Sequence, residues 1–335
     1  MSRLANRAEV IKLARFLSVK AGSLSYLHDL PSDAVATLRS AISDVLHDEL
    51  REPLGLLAAV ARWLPAWVSA LCARSWFGAP MTARLASELP AWRVANIAKY
   101  LDTEFLADVA IDLDPRSARE VLHLLAAKKV MAISHVLLLR RDFVTLGRFV
   151  ALLPDDVLQQ VAVSIEDEGD LLQILFFIEA RYRIDHIVRL IPTERMRRAV
   201  LLVCDESRRD LWEDVLPVVV CLSPEVQKQV VNLAALQRPE VLQRIIKATS
   251  YRQLWSAILC LAEVMNSAGR DNLAEVMEQA DDELLAQAAY AALLRSQWHT
   301  LLDIVRRLTP ARQQDCHEIL AHYLPSLDSE TATYL

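Results

Sequence analysis

The chemical groups most concentrated in this sequence are arginines near its middle. Eight of them lie between residues 181 and 209, and seven of these are candidate binding residues: Arg181, Arg183, Arg195, Arg197, Arg198, Arg208 and Arg209. Guanidinium groups form paired hydrogen bonds with phosphate and carboxylate, so a row of them could bind phosphate, an acidic peptide or nucleic acid. Carboxylates such as Glu194 and Asp210 alternate with them, and ion pairing along the helices is the alternative interpretation. Because few aromatic residues lie nearby to stack on bases, we expect no nucleic-acid partner.

Carboxylates are the second candidate chemistry, because clusters of them can hold Mg²⁺. The acidic runs at residues 155–156, 166–168 and 281–283 each fall where a helix should begin, and there a carboxylate favours the positive end of the helix dipole. Cys316, His317 and His322 come closest to a transition-metal set. However, a spacing of five does not place both histidines on one helix face. We therefore predict no metal site.

Catalytic motifs are not found in the sequence. There is no glycine-rich phosphate loop, no G-x-S-x-G motif and no recognisable pair of nucleophile and base. The chain has only 6 glycines, so a close approach of the backbone to a nucleotide is difficult to build. We predict that the protein is not an enzyme and binds no cofactor. An enzyme with a site between helical repeats is the alternative.

The composition predicts an all-α protein. Apolar residues make up 53% of the 335-residue chain, enough for a large core, and glycine is scarce while Leu, Ala, Glu and Arg are common. The five cysteines are widely spaced and form no C-x-x-C pair, which is typical of reduced thiols in a cytoplasmic protein. No signal peptide is visible.

A long internal period predicts the architecture that must position these groups. Trp212, Trp255 and Trp298 follow one another at intervals of 43 residues, and a Pro lies twelve residues after the first and the third. A period of about 40 residues is typical of stacked helical hairpins. We therefore predict a right-handed superhelical α-solenoid of helical-hairpin repeats, with a period of about 38–43 residues.

A shorter period, of twelve residues, precedes the 43-residue period in the sequence. Leu89, Leu101, Leu113 and Leu125 recur every twelve residues, and each of the first three is followed by a residue that starts helices: Pro90, Asp102 and Asp114-Pro115. This stretch resembles the cytoplasmic N-terminal superhelical domain of MgtE-type magnesium transporters and is also similar to the middle repeats of the flagellar switch protein FliG. The resemblance covers mainly residues 88–205. It implies a superhelical fold.

The most apolar stretch lies at residues 54–72, and its length approaches that of a membrane span. Arg62 and Pro65 interrupt it, so we predict two short helices that meet at Leu64 and Pro65, with no span. We interpret the tryptophans of this region as part of a packed end cap; the alternative is an apolar ligand pocket or partner patch formed by Trp63, Trp67, Trp76 and Trp92. Residues 1–87 would then form an N-terminal helical cap and residues 88–335 one continuous repeat array.

Residues 3–20 form an amphipathic helix with a basic face made by Arg3, Arg7, Lys12, Arg15 and Lys20. A solvated first helix is the simpler interpretation. Peripheral contact with an anionic membrane is the alternative.

The charge distribution and the repeats together favour a scaffold. The net charge is -6, and residues 266–335 account for it with five Arg against eleven Asp or Glu. We predict a non-enzymatic scaffold or adaptor that binds a protein partner through one face of the superhelix. Self-association between the arginine-rich middle and the acidic end is a further expectation. The alternative is a regulatory module that senses a divalent cation or holds an apolar molecule.

Overall fold

The computed structural model describes the chain over residues 2–48, 51–179, 181–203, 210–237, 239–251, 254–295 and 297–321. These residues form 22 α-helices and no β-strand, so the all-α prediction is confirmed. They group into two compact units, Ser2–Leu190 and Ile191–Leu335. The predicted division between residues 87 and 88 lies inside the first unit.

The first unit contains thirteen of the described α-helices. In chain order they are α1 Ser2–Phe16, α2 Ser32–Asp48, α3 Arg51–Trp63, α4 Ala66–Cys72, α5 Gly78–Glu88, α6 Ala91–Ala98, α7 Thr103–Asp112, α8 Pro115–Leu124, α9 Ala127–Leu139, α10 Phe143–Val150, α11 Asp155–Ser164, α12 Glu168–Phe176 and α13 Ile184–Leu190. Two 3₁₀ segments, Ala21–Asp29 and Arg181–Arg183, and a π-helical turn, Ala73–Phe77, complete the unit.

The second unit contains the other nine described helices. They are α14 Thr193–Val203, α15 Asp210–Val220, α16 Pro224–Ala235, α17 Pro239–Tyr251, α18 Trp255–Glu263, α19 Ser267–Glu278, α20 Asp282–Arg295, α21 Trp298–Val305 and α22 Pro310–Ala321. In both units a helix packs mainly on the next helix but one, as α5 does on α7 and α18 on α20. Packing of each helix on a near neighbour in the chain is typical of helical-repeat proteins.

Aspartates start the helices where the sequence predicts them. The carboxylate of Asp102 accepts a hydrogen bond of 2.8 Å from the backbone N–H of Phe105, and that of Asp114 accepts one of 2.9 Å from Arg116. Pro115 occupies the first position of α8, where its missing N–H costs nothing. The acidic runs at 155–156, 166–168 and 281–283 also lie at helix starts, as predicted.

Several prolines occupy the N-cap itself or directly precede the first helical residue. Pro154, not the following aspartate, is the N-cap of α11. Pro31 precedes α2, and its carbonyl accepts the N–H groups of Ala34 and Val35, so Ser32 is the first helical residue. Proline fits this position because an N-cap residue is extended and only its carbonyl is needed by the helix.

The 43-residue period organises the second unit. Trp255 and Trp298 are each the first residue of their helices, and Trp212 is the third residue of α15. Pro224, Ser267 and Pro310, which begin α16, α19 and α22, follow one another at the same interval. Each full period therefore contains three helices, and the prediction of two-helix hairpins was wrong in this unit.

Arginines from later helices bind the free carbonyl groups at the ends of earlier ones. The last carbonyls of a helix have no partner within it and carry the negative end of its dipole, so a guanidinium is well suited to them. Among the described residues, such bonds reach carbonyls 32 or 37 residues earlier in the chain from Arg93 to Ala61, Arg148 to Ile111, Arg183 to Ala151 and Arg312 to Ala280. These bonds connect consecutive layers of helices within each unit.

The apolar stretch at residues 54–72 does not form one helix. It is divided between α3 and α4, with Leu64 and Pro65 between them, as predicted. Within the part of the chain that the structure describes, no helix is both long and apolar enough to cross a membrane.

Candidate functional site

The tryptophans of the first unit lie on its surface. The exposed fraction is 91% for Trp63, 58% for Trp67, 81% for Trp76 and 57% for Trp92. They belong to α3, α4, the π-helical turn and α6. Because these side chains face solvent, they do not form the packed core of an end cap. We call these four residues, together with Leu56, Val60 and Leu71, the tryptophan surface.

Helical spacing explains how the tryptophan surface is assembled. Leu56, Val60 and Trp63 are separated by four and three residues on α3, which places them in one stripe along that helix. Trp67 and Leu71 are four residues apart on α4. Every one of these side chains is exposed, whereas an apolar stripe of this kind normally packs on a neighbouring helix. The chain thus presents an apolar surface that none of its described residues covers.

An apolar cleft of about 240 Å³ opens beside this surface. Leu57 and Val60 of α3 and the following Leu64 line it together with Trp76 of the tryptophan surface. A second apolar cavity, of about 100 Å³, shares five of its lining residues and extends toward α8 and α9. The shared residues are Ala86, Val94, Ala98, Leu106 and Val109.

A buried arginine positions the two helices that carry most of this surface. Arg93 of α6 donates to the carbonyl of Ala61 at 2.8 Å and 3.1 Å, and also to that of Leu64. These carbonyls lie where α3 ends and the chain turns into α4. The bonds therefore fix the α3–α4 corner on α6 and hold Trp63 and Trp67 outward.

Most of the exposed charged residues in this part of the sequence are basic. Arg62 precedes Trp63, Arg74 lies two residues before Trp76, Arg84 is on α5 and Lys99 follows α6; all four side chains are exposed. Arg74 pairs with Asp102 at 3.2 Å. Between residues 54 and 101 the sequence has one acidic residue, Glu88. Asp102 is itself exposed and partly offsets this positive charge.

The arginines predicted as an anion-binding row have varied environments. Arg183 donates to the carbonyls of Ala151 and Leu153 at 2.9 Å and 3.2 Å and also to Asp155, so its guanidinium stabilises the fold. Arg197 lies 3.5 Å from Glu194 on the same helix.

The other members of the predicted row divide between the two units. Arg195 and Arg198 belong to α14 in the second unit, whereas Arg183 belongs to the first. Arg208, Arg209 and the side chain of Arg181 lie outside the described residues. The anion-binding row thus stays a prediction.

A buried charged cluster in the first unit was not predicted. Lys12 of α1 lies 2.8 Å from Glu9 and 3.8 Å from Glu179. Arg39 of α2 lies 3.0 Å from Glu179, and Arg148 of α10 lies 3.8 Å from it. Because these residues come from four separate parts of the sequence, no local motif could have indicated the cluster. It joins α1 and α2 to α10 and to the residues after α12.

Burial and charge shift the pKa values in this cluster. Burial lowers the pKa of Lys12, although Glu9 and Glu179 oppose the shift. Burial alone would raise the pKa of Glu9, but Lys12 and Arg39 outweigh it and hold that pKa below its ordinary value. Three cations face two carboxylates here, so the buried Lys12 is only partly compensated. We interpret the cluster as a structural junction.

Lys12 and Arg15 also correct the predicted basic face of the first helix. Lys12 is buried in the cluster, and Arg15 forms a paired contact with both carboxylate oxygens of Asp142. Neither side chain belongs to an exposed face that could lie on a membrane.

Asp142 makes part of the stability of the first unit dependent on pH. Burial alone would raise its pKa, but hydrogen bonds from Arg15 and from the backbone N–H of Thr145 lower it below 3.8. A carboxyl whose pKa is lowered by folding stabilises the protein above its unfolded pKa, and that contribution is lost as the pH falls through the folded pKa. We expect Asp142→Asn to cost about 1–3 kcal/mol at pH 7, and less near pH 3.

Urea unfolding of both proteins at the two pH values measures this difference. The matched control is Asp44→Asn, because Asp44 forms an exposed ion pair with Arg116 at 3.2 Å that should contribute less than about 1 kcal/mol. An equal loss for Asp142→Asn at both pH values would contradict the assignment.

Among the residues that the structure describes, no cluster of three or more His, Cys, Asp or Glu side chains could hold a metal ion. In the predicted C-terminal set, Cys316 is buried and His317 is exposed, whereas His322 lies outside the described range. Burial raises the pKa of the Cys316 thiol, which disfavours the thiolate that a metal requires.

The geometry of the first unit therefore makes the tryptophan surface and its cleft the strongest candidate site. Comparison of the chain with protein-family models, curated protein sequences and solved structures finds no match.

Proposed function

We propose that this chain is a non-enzymatic helical-repeat scaffold that binds a protein partner through the tryptophan surface. The exposure of its four tryptophans carries the proposal. Leu56, Val60 and Trp63 form an exposed stripe on α3, and exposed apolar patches of this kind mark interaction sites. Tryptophan and arginine are also the residues that most often dominate the binding energy of protein interfaces.

A module that holds a small apolar molecule is the second candidate, and the cleft favours it. Ligand pockets usually enclose about 300–1,000 Å³ and contain a few polar groups that orient the ligand. This cleft, of about 240 Å³, is smaller. The hydroxyls of Ser69 and Thr82, which line it, donate to backbone carbonyls of their own helices. A small ligand would also leave the tryptophans uncovered, so a protein partner accounts for more of the surface.

The superhelical arrangement is a separate part of the proposal. The three-helix period of the second unit supports it, because equal intervals place successive helices in equivalent environments.

Affinity capture with quantitative mass spectrometry tests the proposed function. The test variant is Trp63→Ala/Trp67→Ala, and its matched control is Leu139→Ala/Val163→Ala, which removes similarly exposed apolar side chains from α9 and α11. We expect proteins recovered with the wild type and the control to fall at least about tenfold with the test variant. Capture that is unaffected by the tryptophan substitutions, or no specific capture at all, would contradict the proposal.

A further inference from the structure

We infer that residues 2–48 form a lid, which charged side chains hold on the rest of the first unit and which opens without unfolding the helices beneath it. The lid comprises α1, the 3₁₀ segment Ala21–Asp29 and α2. It shares no residue with the tryptophan surface, so the inference stands apart from the proposed function. Two observations support it: where the apolar contacts of the lid are made, and which groups connect it to the other helices.

The buried apolar side chains of the lid form a cluster among themselves. Its members are Val10, Leu13, Ala14, Leu24, Leu27 and Val35. The partly buried Ala21 and Ile42, which pack against this cluster, also belong to the lid. The buried Asn6 donates to the carbonyls of Leu27 and Leu30 at 2.5 Å and 2.8 Å and so joins α1 to the 3₁₀ segment. The contacts of this cluster therefore hold the lid itself together.

Charged side chains connect the lid to the helices beneath it. Arg15 pairs with both carboxylate oxygens of Asp142, the N-cap of α10. Lys12 and Arg39 lie 3.8 Å and 3.0 Å from Glu179, which follows α12. Both helices of the lid therefore reach the rest of the unit through ion pairs.

A third attachment involves α8. Its Arg116 lies 3.2 Å from Asp44 of α2 and also donates to the hydroxyl of Ser40. Because α10 packs on both α8 and α12, the three attachments lie along one layer of helices. The lid thus extends across the layer formed by α8, α10 and α12.

Opening of the lid returns its charged groups to water. Lys12, whose side chain is 2% exposed, shares the two carboxylates of Glu9 and Glu179 with Arg39 and Arg148. Removal of charge from water costs hydration free energy, which ion pairing offsets only in part. Separation of the lid from the layer recovers that hydration, whereas separation of an apolar interface exposes hydrocarbon to water. The first unit therefore opens most easily between the lid and the layer.

Hydrogen–deuterium exchange of the full chain, read by mass spectrometry, tests the inference because it measures the opening of each segment separately. At low salt, the amides of residues 2–48 should exchange at least about tenfold faster than those of residues 91–139, which form α6 to α9. In 1 M NaCl the exchange of residues 2–48 should rise by about threefold or more, because salt screens the attraction between the lid and the layer. Exchange of residues 91–139 should not change.

Substitutions identify the groups that hold the lid. Glu179→Gln removes the carboxylate shared by Lys12 and Arg39 and should speed the exchange of residues 2–48 by at least about tenfold. Arg39→Gln should have a smaller effect on the same residues and decides the question, together with the salt series, if Glu179→Gln does not fold. The matched control, Glu104→Gln, makes the same chemical change at an exposed carboxylate that bonds to Arg140 of α9. It should leave the exchange of residues 2–48 unchanged.

Three results would overturn the inference. Equal acceleration of residues 2–48 and 91–139 in the variants would show that the lid and the helices beneath it open as one unit. Exchange of residues 2–48 that does not rise in 1 M NaCl would show that ion pairs do not hold the lid. An equal response to the control would show that the contact with Glu179 has no special role. None of these measurements involves the tryptophans, so failure of the inference leaves the proposed function standing.

Discussion

Replacement of Gly147 by alanine is expected to destabilise the first unit by about 3 kcal/mol or more. Gly147 lies within α10, and a Cβ atom there would be 2.6 Å from the Cβ of Phe177 and 2.8 Å from the carbonyl oxygen of Ile174. These distances are far below van der Waals contact. Since α10 packs closely on α12, relief requires the backbones of two helices to separate. Chemical denaturation monitored by circular dichroism measures the loss.

The matched control is Gly55→Ala in α3, where an added Cβ meets no atom within 4 Å. Alanine favours a helix over glycine by about 1 kcal/mol, so this variant should be slightly more stable than the wild type. Opposite signs for the same substitution would show that close helix packing, not helix propensity, requires Gly147. Equal stability of the two variants would contradict the geometry of the α10–α12 contact.

Helix boundaries in this protein are predicted well from the sequence because they depend on neighbouring residues. Leu113 and Leu125 are the C-caps of α7 and α8, and Leu101 follows the end of α6 by three residues. The residue after each of these leucines is the N-cap of the next helix. Asp102 and Asp114 bond the first N–H groups of their own helices. These contacts extend over two or three residues, so the linear sequence contains all the information that they need.

Burial is not predictable in the same way. Trp63 and Trp255 both lie in strongly apolar stretches, yet Trp63 is exposed and Trp255 is buried. Which side of a helix is covered depends on whether another helix packs there, and that helix can be distant in sequence. The tryptophan surface is therefore visible in the structure, whereas the residues alone left a packed cap and a partner patch as alternatives.

The role of an individual arginine is likewise not predictable from the sequence. Arg183 was predicted to bind an external anion, but its partners are carbonyl groups at the end of a helix 32 residues earlier. Arg93 and Arg312 bond to carbonyls at the same sequence separation. A guanidinium satisfies a helix end and a bound anion by similar hydrogen bonds, so residue type does not distinguish the two roles. The recurrent separation is a signal that sequence analysis could have used.

The largest expected loss in the second unit comes from Trp255. Trp255 is the first residue of α18, and its side chain is 3% exposed. Trp298 is the first residue of α21, and its side chain is 4% exposed. Removing a buried tryptophan costs its transfer free energy and leaves a cavity, so Trp255→Ala is expected to cost about 3–5 kcal/mol. Trp298→Ala should cost a similar amount, because the period gives the two side chains equivalent surroundings.

Trp255→Phe separates packing from hydrogen bonding. The buried indole N–H of Trp255 has no hydrogen-bond partner among the described residues, so phenylalanine should retain much of the packing and lose no hydrogen bond. Trp63→Ala is the control for an exposed tryptophan and should change the free energy of unfolding by less than about 0.5 kcal/mol. Chemical denaturation of the four variants gives the order of stability. A cost below about 1 kcal/mol for Trp255→Ala, or a cost for Trp298→Ala as small as that for Trp63→Ala, would show that the 43-residue interval does not reflect equivalent buried positions.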